Sequence, residues 1–417
     1  MEIKRLSQRN MIFYVIILAC LAVHSGCIRE TNTQQVKGNH WVGTWASSAQ
    51  EVESKLMPSE FQKLDDTTLR QVVRVSVGGD KLRVRFSNAF ADWQDNLRIS
   101  KACIAVSAGE NAIKPDTAKQ LTFSGNSSVM IPYGTLMISD PVEFTLKPGS
   151  DLAVTIHVSK APKKTTGHRS ARGEVVFIQS GNAVTDEELA ASISNKCWYY
   201  LCGVEVLAPP SSGAVVCLGD SITDGKGSTE GENRRWPDYL ARRLQSNPET
   251  ADIGVLNQGI GGNCLWAGGI GQTVLQRLDR DVLAQPSARW VIILEGINDL
   301  GGKRTLAEEI ISSFEQIIDR TQACGLLVYG STILPCGDSF YFNAELEAKR
   351  QKINDWIRNS RAFDAVIDWD AVVRDPQNPS RLIPEADSGD HLHLSDNGYR
   401  MMADTIDLKL FLNRSQK

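Results

Sequence analysis

Long apolar runs are nearly missing from this chain. The one that stands out, Met11–Val23, has thirteen residues, too few to cross a bilayer comfortably, so no membrane-spanning domain is expected. Basic excess is missing as well. The 45 lysines and arginines stand against 49 acidic residues, for a net charge of −4, with no basic patch, which argues against nucleic acid as a partner. Nine cysteines occur without a CxxC spacing, and that excludes a zinc cage and a full disulfide framework. Histidine is scarce, at six residues, and no internal repeat or low-complexity segment is present.

The remainder is an ordinary globular composition, 42% hydrophobic and 23% charged over 417 residues, enough for two domains with a core of normal size. The N-terminus differs. Lys4, Arg5 and Arg9 precede the apolar run, and His24-Ser25-Gly26-Cys27 follows it. A basic flank, a short apolar stretch and small residues read as a secretory signal over residues 1–26. Ser25-Gly26-Cys27 resembles a bacterial lipobox, with Cys27 as the lipidated residue, His24 standing where an aliphatic residue is usual, and residues 27–38 as a tether. The expectation is an exported protein, periplasmic or membrane-anchored as a lipoprotein, with plain secretion as the alternative. Loss of residues 1–26 removes three basic groups and one acidic group, carrying the net charge from −4 to −6. With Cys20 in the leader and Cys27 the lipidation candidate, seven cysteines remain, of which Cys197 and Cys202 could pair, or all stay as buried thiols.

Residues 39–208 read as an all-β accessory domain, a sandwich or jelly roll. Val73, Val75 and Val77 alternate before Gly78-Gly79-Asp80, and Leu82, Val84 and Phe86 alternate after it, which predicts a hairpin. The same pattern recurs around Pro148-Gly149, between Val142–Leu146 and Leu152–Val158. His157 and His168 are expected at the surface. After the linker Ala208–Gly213 the pattern changes to short apolar runs separated by helical segments. Pro237 and Asp238 suit a first helical turn, and Thr305-x-x-Glu308 reads as a capping box. This alternation over 214–412 predicts a doubly wound, flavodoxin-like parallel sheet with its ligand at the carboxyl ends of the strands.

The chemistry concentrates where the first of those runs ends, in "VVCLGDSITDGKGS", residues 215–228. A phosphate loop requires a second glycine where Asp224 stands and a hydroxyl where Gly227 stands, so that reading fails. The G-x-S-x-G elbow fits Gly219 and Ser221 but fails at Thr223. Asp220 and Asp224 read as turn residues around Ser221 rather than a glycosidase pair. A serine nucleophile needs a base, an orienter and oxyanion donors. The α/β half holds two histidines, His391 and His393, and Asp390 precedes His393 by three residues, a spacing that lets the carboxylate hold Nδ1 and leave Nε2 for the serine. The alternative of a metal cluster at Asp390, His391 and His393 leaves Ser221 and two candidate oxyanion donors, Gly259 after the run Val255–Leu256 and Asn298 after Trp290–Leu294, without a joint purpose.

Four blocks in order, "GDSITDG", "NQGIGGN", "EGIND" and "DHLH", resemble the SGNH (GDSL-type) hydrolase superfamily, and "WVGTWASS" with "RVRFSNAF" is similar to a secreted, acetylxylan-esterase-like subgroup with a β-rich N-terminal domain. The resemblance implies an SGNH hydrolase catalytic domain at 214–412, with Ser221 as nucleophile, Asp390 and His393 completing the triad, and Ser221, Gly259 and Asn298 as oxyanion donors. His391 stands where the family commonly has glycine. Gly261 and Gly262 read as loop backbone. Trp266, Tyr341 and Phe342 are candidate sugar-stacking aromatics. The expected function is a serine esterase that removes short acyl groups, acetyl above all, from carbohydrate, without metal or cofactor. The alternatives are a lysophospholipase or short-chain lipase at the same site, and a carbohydrate-binding surface protein with a vestigial one. Partners are an acylated glycan or small ester, with the membrane reached only through a lipid anchor; the oligomeric state is not legible.

Overall fold

A computed structural model describes residues 38–169, 172, 175–302 and 305–412. The leader, the tether and the Cys27 lipidation site lie outside the described residues. Residues His40–Lys417 form a single unit. No described helix is long and apolar enough to cross a membrane.

The C-terminal half of that unit is built on five parallel strands in the spatial order Ile253–Gly259, Gly213–Gly219, Ala288–Leu294, Leu327–Ser331, Ala365–Ile367. By sequence this is the 2-1-3-4-5 order of a flavodoxin-like sheet. The strand Gly213–Gly219 is buried along its whole length because both of its edges are paired and both of its faces are covered. Its residues divide by parity. Val216 and Leu218 join one core cluster with Val291 and Ile293. Val215 and Cys217 join another with Trp290, Ile292, Trp236, Leu240 and Met402. The helices Trp236–Ser246 and Asp396–Asp404 supply that second face.

The N-terminal half is strand-rich, with a five-stranded and an eight-stranded antiparallel sheet. Their apolar side chains belong to the same buried cluster as Val216 and Leu218, so the core continues without a break into the parallel sheet. Neither expected hairpin forms. Thr67–Arg74 pairs with Asp151–Lys160 and Val176–Ser180, whereas Gly79–Ser87 pairs with Leu201–Ala208 and Val142–Leu146. Both turns therefore carry the chain from one sheet to the other, and they lie together, joined by Val75 N–H to Ser150 O at 3.0 Å and Gly149 N–H to Val75 O at 3.0 Å. Alternation marks the inward face of a strand but not the sheet it enters.

A third, small sheet, Trp198–Tyr199, Thr165–His168 and Gln50–Val52, reaches toward the carboxyl ends of the parallel strands. Ser48 beside it accepts from Arg277 and donates to Gln258 at 3.0 and 2.6 Å. One further expectation is corrected. The helix Ala307–Ala323 is capped by Glu309, which accepts from Leu306 N–H at 2.7 Å, while Glu308 reaches across to Lys352. The described cysteines form no disulfide, Cys197 and Cys202 included.

Candidate active site

The strand Gly213–Gly219 delivers the chain into a one-turn helix, Ser221–Asp224. Asp220 caps it, its carboxylate accepting from Ile222 N–H at 2.8 Å, and Gly225 closes it in the left-handed region at φ +101°. Gly219 is required by space. A Cβ there would stand 2.1 Å from Thr223 Oγ1 and 2.7 Å from Leu294 O. The result holds the Ser221 side chain at the strand end with its backbone N–H free of any acceptor among the described residues.

Ser221 Oγ lies 2.8 Å from His393 Nε2, and His393 Nδ1 lies 2.7 Å from Asp390 Oδ2. The other Asp390 oxygen accepts from the backbone N–H groups of His393 at 2.8 Å and Leu392 at 3.1 Å. The three-residue spacing thus folds into a tight loop in which one carboxylate fixes both the backbone and the ring. Burial works against the Asp390 charge, but these bonds from His393 and Leu392 prevail and hold its pKa down to about 2. His393 titrates below the ordinary histidine value. Burial is the main cause, opposed by Asp390 and reinforced by the charges of Lys226 and Arg172. His391 is exposed, and its Nδ1 engages Asp387 at 2.6 Å. Each imidazole is held by its own carboxylate, so the two do not converge on a shared centre.

Asn298 comes from the end of the neighbouring strand and faces the same cavity as Ser221. Its Nδ2 donates to Asn263 O at 2.8 Å and has a longer, 3.4 Å contact to Asp220; its Oδ1 accepts from Tyr341 OH at 3.0 Å. Gly259 does not belong to this group. Its N–H donates to Asn257 Oδ1 at 2.9 Å, and a Cβ there would meet Asp224 N at 2.3 Å, so this glycine lets the strand pass beneath the one-turn helix. The glycines that line the cavity are Gly261 and Gly262, whose N–H groups have no acceptor among the described residues.

Behind these groups lies a buried acidic cluster. Burial, with Asp299 and Asp224 nearby, raises Asp220 to about 7, and burial together with Asp220 lifts Glu295 well above the usual carboxylate range. Asp299 is raised as well, again by burial first. Close carboxyl groups in a dry interior cannot all ionise.

The cavity over Ser221 measures about 290 Å³. Tyr341 lines it, whereas Trp266 and Phe342 stand outside the lining and are exposed. Phe340, Ile270 and Leu392 take those places. The wall opposite comes from the strand-rich half. His168, expected at the surface, is 2% exposed. Its Nδ1 contacts Ser48 O at 2.9 Å and its Nε2 contacts Asp224 Oδ1 at 3.0 Å. Arg172 Nε donates to Asp224 Oδ2 at 3.0 Å, and Arg172 and Arg169 both face the cavity. His157 is buried too, between Ser100 and Asp66. These partners are remote in sequence, with Asp224 lying 56 residues from His168 and 52 from Arg172, so only the basic cluster "HRSAR" signalled them.

A serine at a strand end, a histidine within hydrogen-bond reach and a carboxylate behind it define an acyl-transfer type of centre. Residues 217–401 are a GDSL-like lipase/acylhydrolase domain, matching the family described as GDSL-like Lipase/Acylhydrolase. Solved structures similar to part of the chain include an acetyl xylan esterase (23% identity, 46% of this chain and 96% of that one, TM-score 0.37). A carbohydrate acetylesterase family member from Sinorhizobium meliloti is 16% identical, covering 48% and 99%, with TM-score 0.39. A GDSL-like lipase from Bacteroides thetaiotaomicron is 20% identical, covering 48% and 88%, with TM-score 0.36. No curated protein matches the chain.

Proposed function

We propose that this protein is a serine esterase that removes short acyl groups, acetyl first, from carbohydrate by an acyl-enzyme mechanism. The observation that supports it is the unbroken relay from Ser221 Oγ through His393 to Asp390, at 2.8 and 2.7 Å. His393 takes the serine proton as Ser221 attacks the ester carbonyl, and Asp390 stabilises the imidazolium that forms. The oxyanion is received by the N–H of Ser221, the free N–H groups of the Gly261-Gly262 loop, and the Asn298 N–H held only by the 3.4 Å contact to Asp220. His393 then protonates the departing sugar alcohol, and water releases the acyl group by the same steps.

The apolar wall of Ile270, Phe340 and Leu392 favours a second reading, a lysophospholipase or short-chain lipase. Acetate release from acetylated xylan, set against turnover of long-chain 4-nitrophenyl esters, separates the two. A fluorophosphonate probe is expected to label the wild type and not Ser221→Ala. Equal labelling of both would sink the nucleophile assignment. We further propose that the enzyme works outside the cytoplasm, anchored through Cys27, where polymeric glycans are met; the basic and apolar residues before Cys27 support this. Globomycin-sensitive processing of the full chain tests it.

A further inference from the structure

We propose that the ester hydrolysed at Ser221 belongs to an acidic sugar, one whose carboxylate lies close to the acyl group and is received by Arg172 and Lys226; this rests on the esterase reading above.

The chain as a whole is acidic, yet the cavity over Ser221 is lined by three cations, Arg169, Arg172 and Lys226. The one carboxylate in that lining is Asp224, and both of its oxygens are engaged, Oδ1 by His168 and Oδ2 by Arg172. Asp224 is thus already committed, and three cations line a cavity that holds one carboxylate. Lys226 has no ion pair among the described residues, and Arg169 has a single 3.4 Å contact to Glu53. A cation surplus in a partly enclosed space draws in and orients an anion.

Position makes the surplus relevant to the reaction. A Cβ on Gly261 would stand 2.9 Å from Arg172 Nη2, 3.4 Å from Asp224 Oδ2 and 4.0 Å from Ser221 Cβ, so the guanidinium and Ser221 flank the same point of the loop. Arg172 is also held rigidly. Its Nε and Nη2 both contact Asp224 at 3.0 Å, and Asp224 is fixed in turn by His168. The facing wall of Phe340, Tyr341 and Leu392 suits the apolar face of a pyranose ring. One wall for the ring and one for a carboxylate describe a uronic-acid-type ester better than a neutral sugar or a lipid.

The test uses the full-length mature enzyme and two O-acetylated uronides, one with a free carboxylate and one as its methyl ester, with 4-nitrophenyl acetate as a neutral reference. The expected result is a kcat/KM about tenfold higher for the free acid, as one charge-assisted contact supplies. That preference should shrink at high salt, and it should fall several-fold in Lys226→Gln and further in Lys226→Glu. Equal or better turnover of the methyl ester would overturn the inference while leaving the esterase reading intact. The same preference retained in Lys226→Glu and in Arg172→Gln would overturn it as well. If the wild type hydrolyses none of the three esters, the esterase reading fails and takes this inference with it. A sulfated or phosphorylated sugar ester preferred over the uronide would overturn the carboxylate assignment.

Discussion

The two halves of the unit His40–Lys417 meet at Ser221, and each brings a histidine bound to a carboxylate. In the α/β half, Asp390 and His393 lie three residues apart in one loop. The pair is made by local chain geometry and its Nε2 points at the nucleophile. In the strand-rich half, His168 reaches across to Asp224 of the other half and touches no reacting atom. In the proposed mechanism the first pair moves a proton; the second holds the two halves together and fixes Arg172 on the cavity wall. The same two residue types thus serve chemistry on one side and architecture on the other. What separates them is the neighbour on the second ring nitrogen, a serine hydroxyl for His393 and a backbone carbonyl for His168.

Substitutions should split along that line. Ser221→Ala is expected to have the largest effect, a loss of about 10⁶ in turnover, with an unchanged denaturation midpoint. Asp390→Asn follows at about 10⁴, because the amide orients the imidazole in the wrong tautomer. Asn298→Ala should cost about 10²–10³ in turnover while leaving residual activity. On the other side, Asp224→Asn leaves His168 and Arg172 facing each other in a buried site, and a loss of stability of about 3–5 kcal/mol is expected in urea titration. An Asp224→Asn enzyme as stable as the wild type would erase the distinction between the two pairs.

The pH profile sharpens the comparison further. His393 acts as a base only when neutral, and its pKa lies below the ordinary histidine value, chiefly through burial and also through Lys226 and Arg172. Activity should therefore persist as pH falls past about 6.5, with the acid limb centred lower. Lys226→Gln removes one of the charges that disfavour the imidazolium, so the limb should move up toward neutrality. A limb that stays in place would show that Lys226 does not reach the base.

These contrasts follow how far each feature could be read in the sequence. The parallel sheet was legible because its strands are buried on both faces and form short unbroken apolar runs. Ser221, Asp390 and His393 were legible because a loop of three residues leaves little freedom. Gly259 was misplaced because the segment 257–263 offers three glycines, and only the path of the loop decides which of them faces the serine. The two turns at Gly78-Gly79 and Pro148-Gly149 have hairpin chemistry, but their strands enter different sheets, a choice made by pairing partners more than 50 residues away. His168 and Arg172 were hidden for the same reason: their partner is in the other half.

The smallest expected effect is at His391, and it closes the question left by two histidines in "DHLH". His391 sits two residues before the base, is exposed, and is committed to Asp387 through both its ring and its N–H. Its φ of +60° makes alanine a poor probe, since a left-handed position disfavours most side chains. Asparagine tolerates that conformation, so His391→Asn isolates the imidazole. Its turnover should stay within about twofold of the wild type and its stability within about 0.5 kcal/mol, with the same acid limb, because no proton on the path from Ser221 passes through residue 391. A loss approaching that of His393→Asn, measured on 4-nitrophenyl acetate, would mean that the two rings exchange roles during turnover and that the loop is not fixed by Asp390.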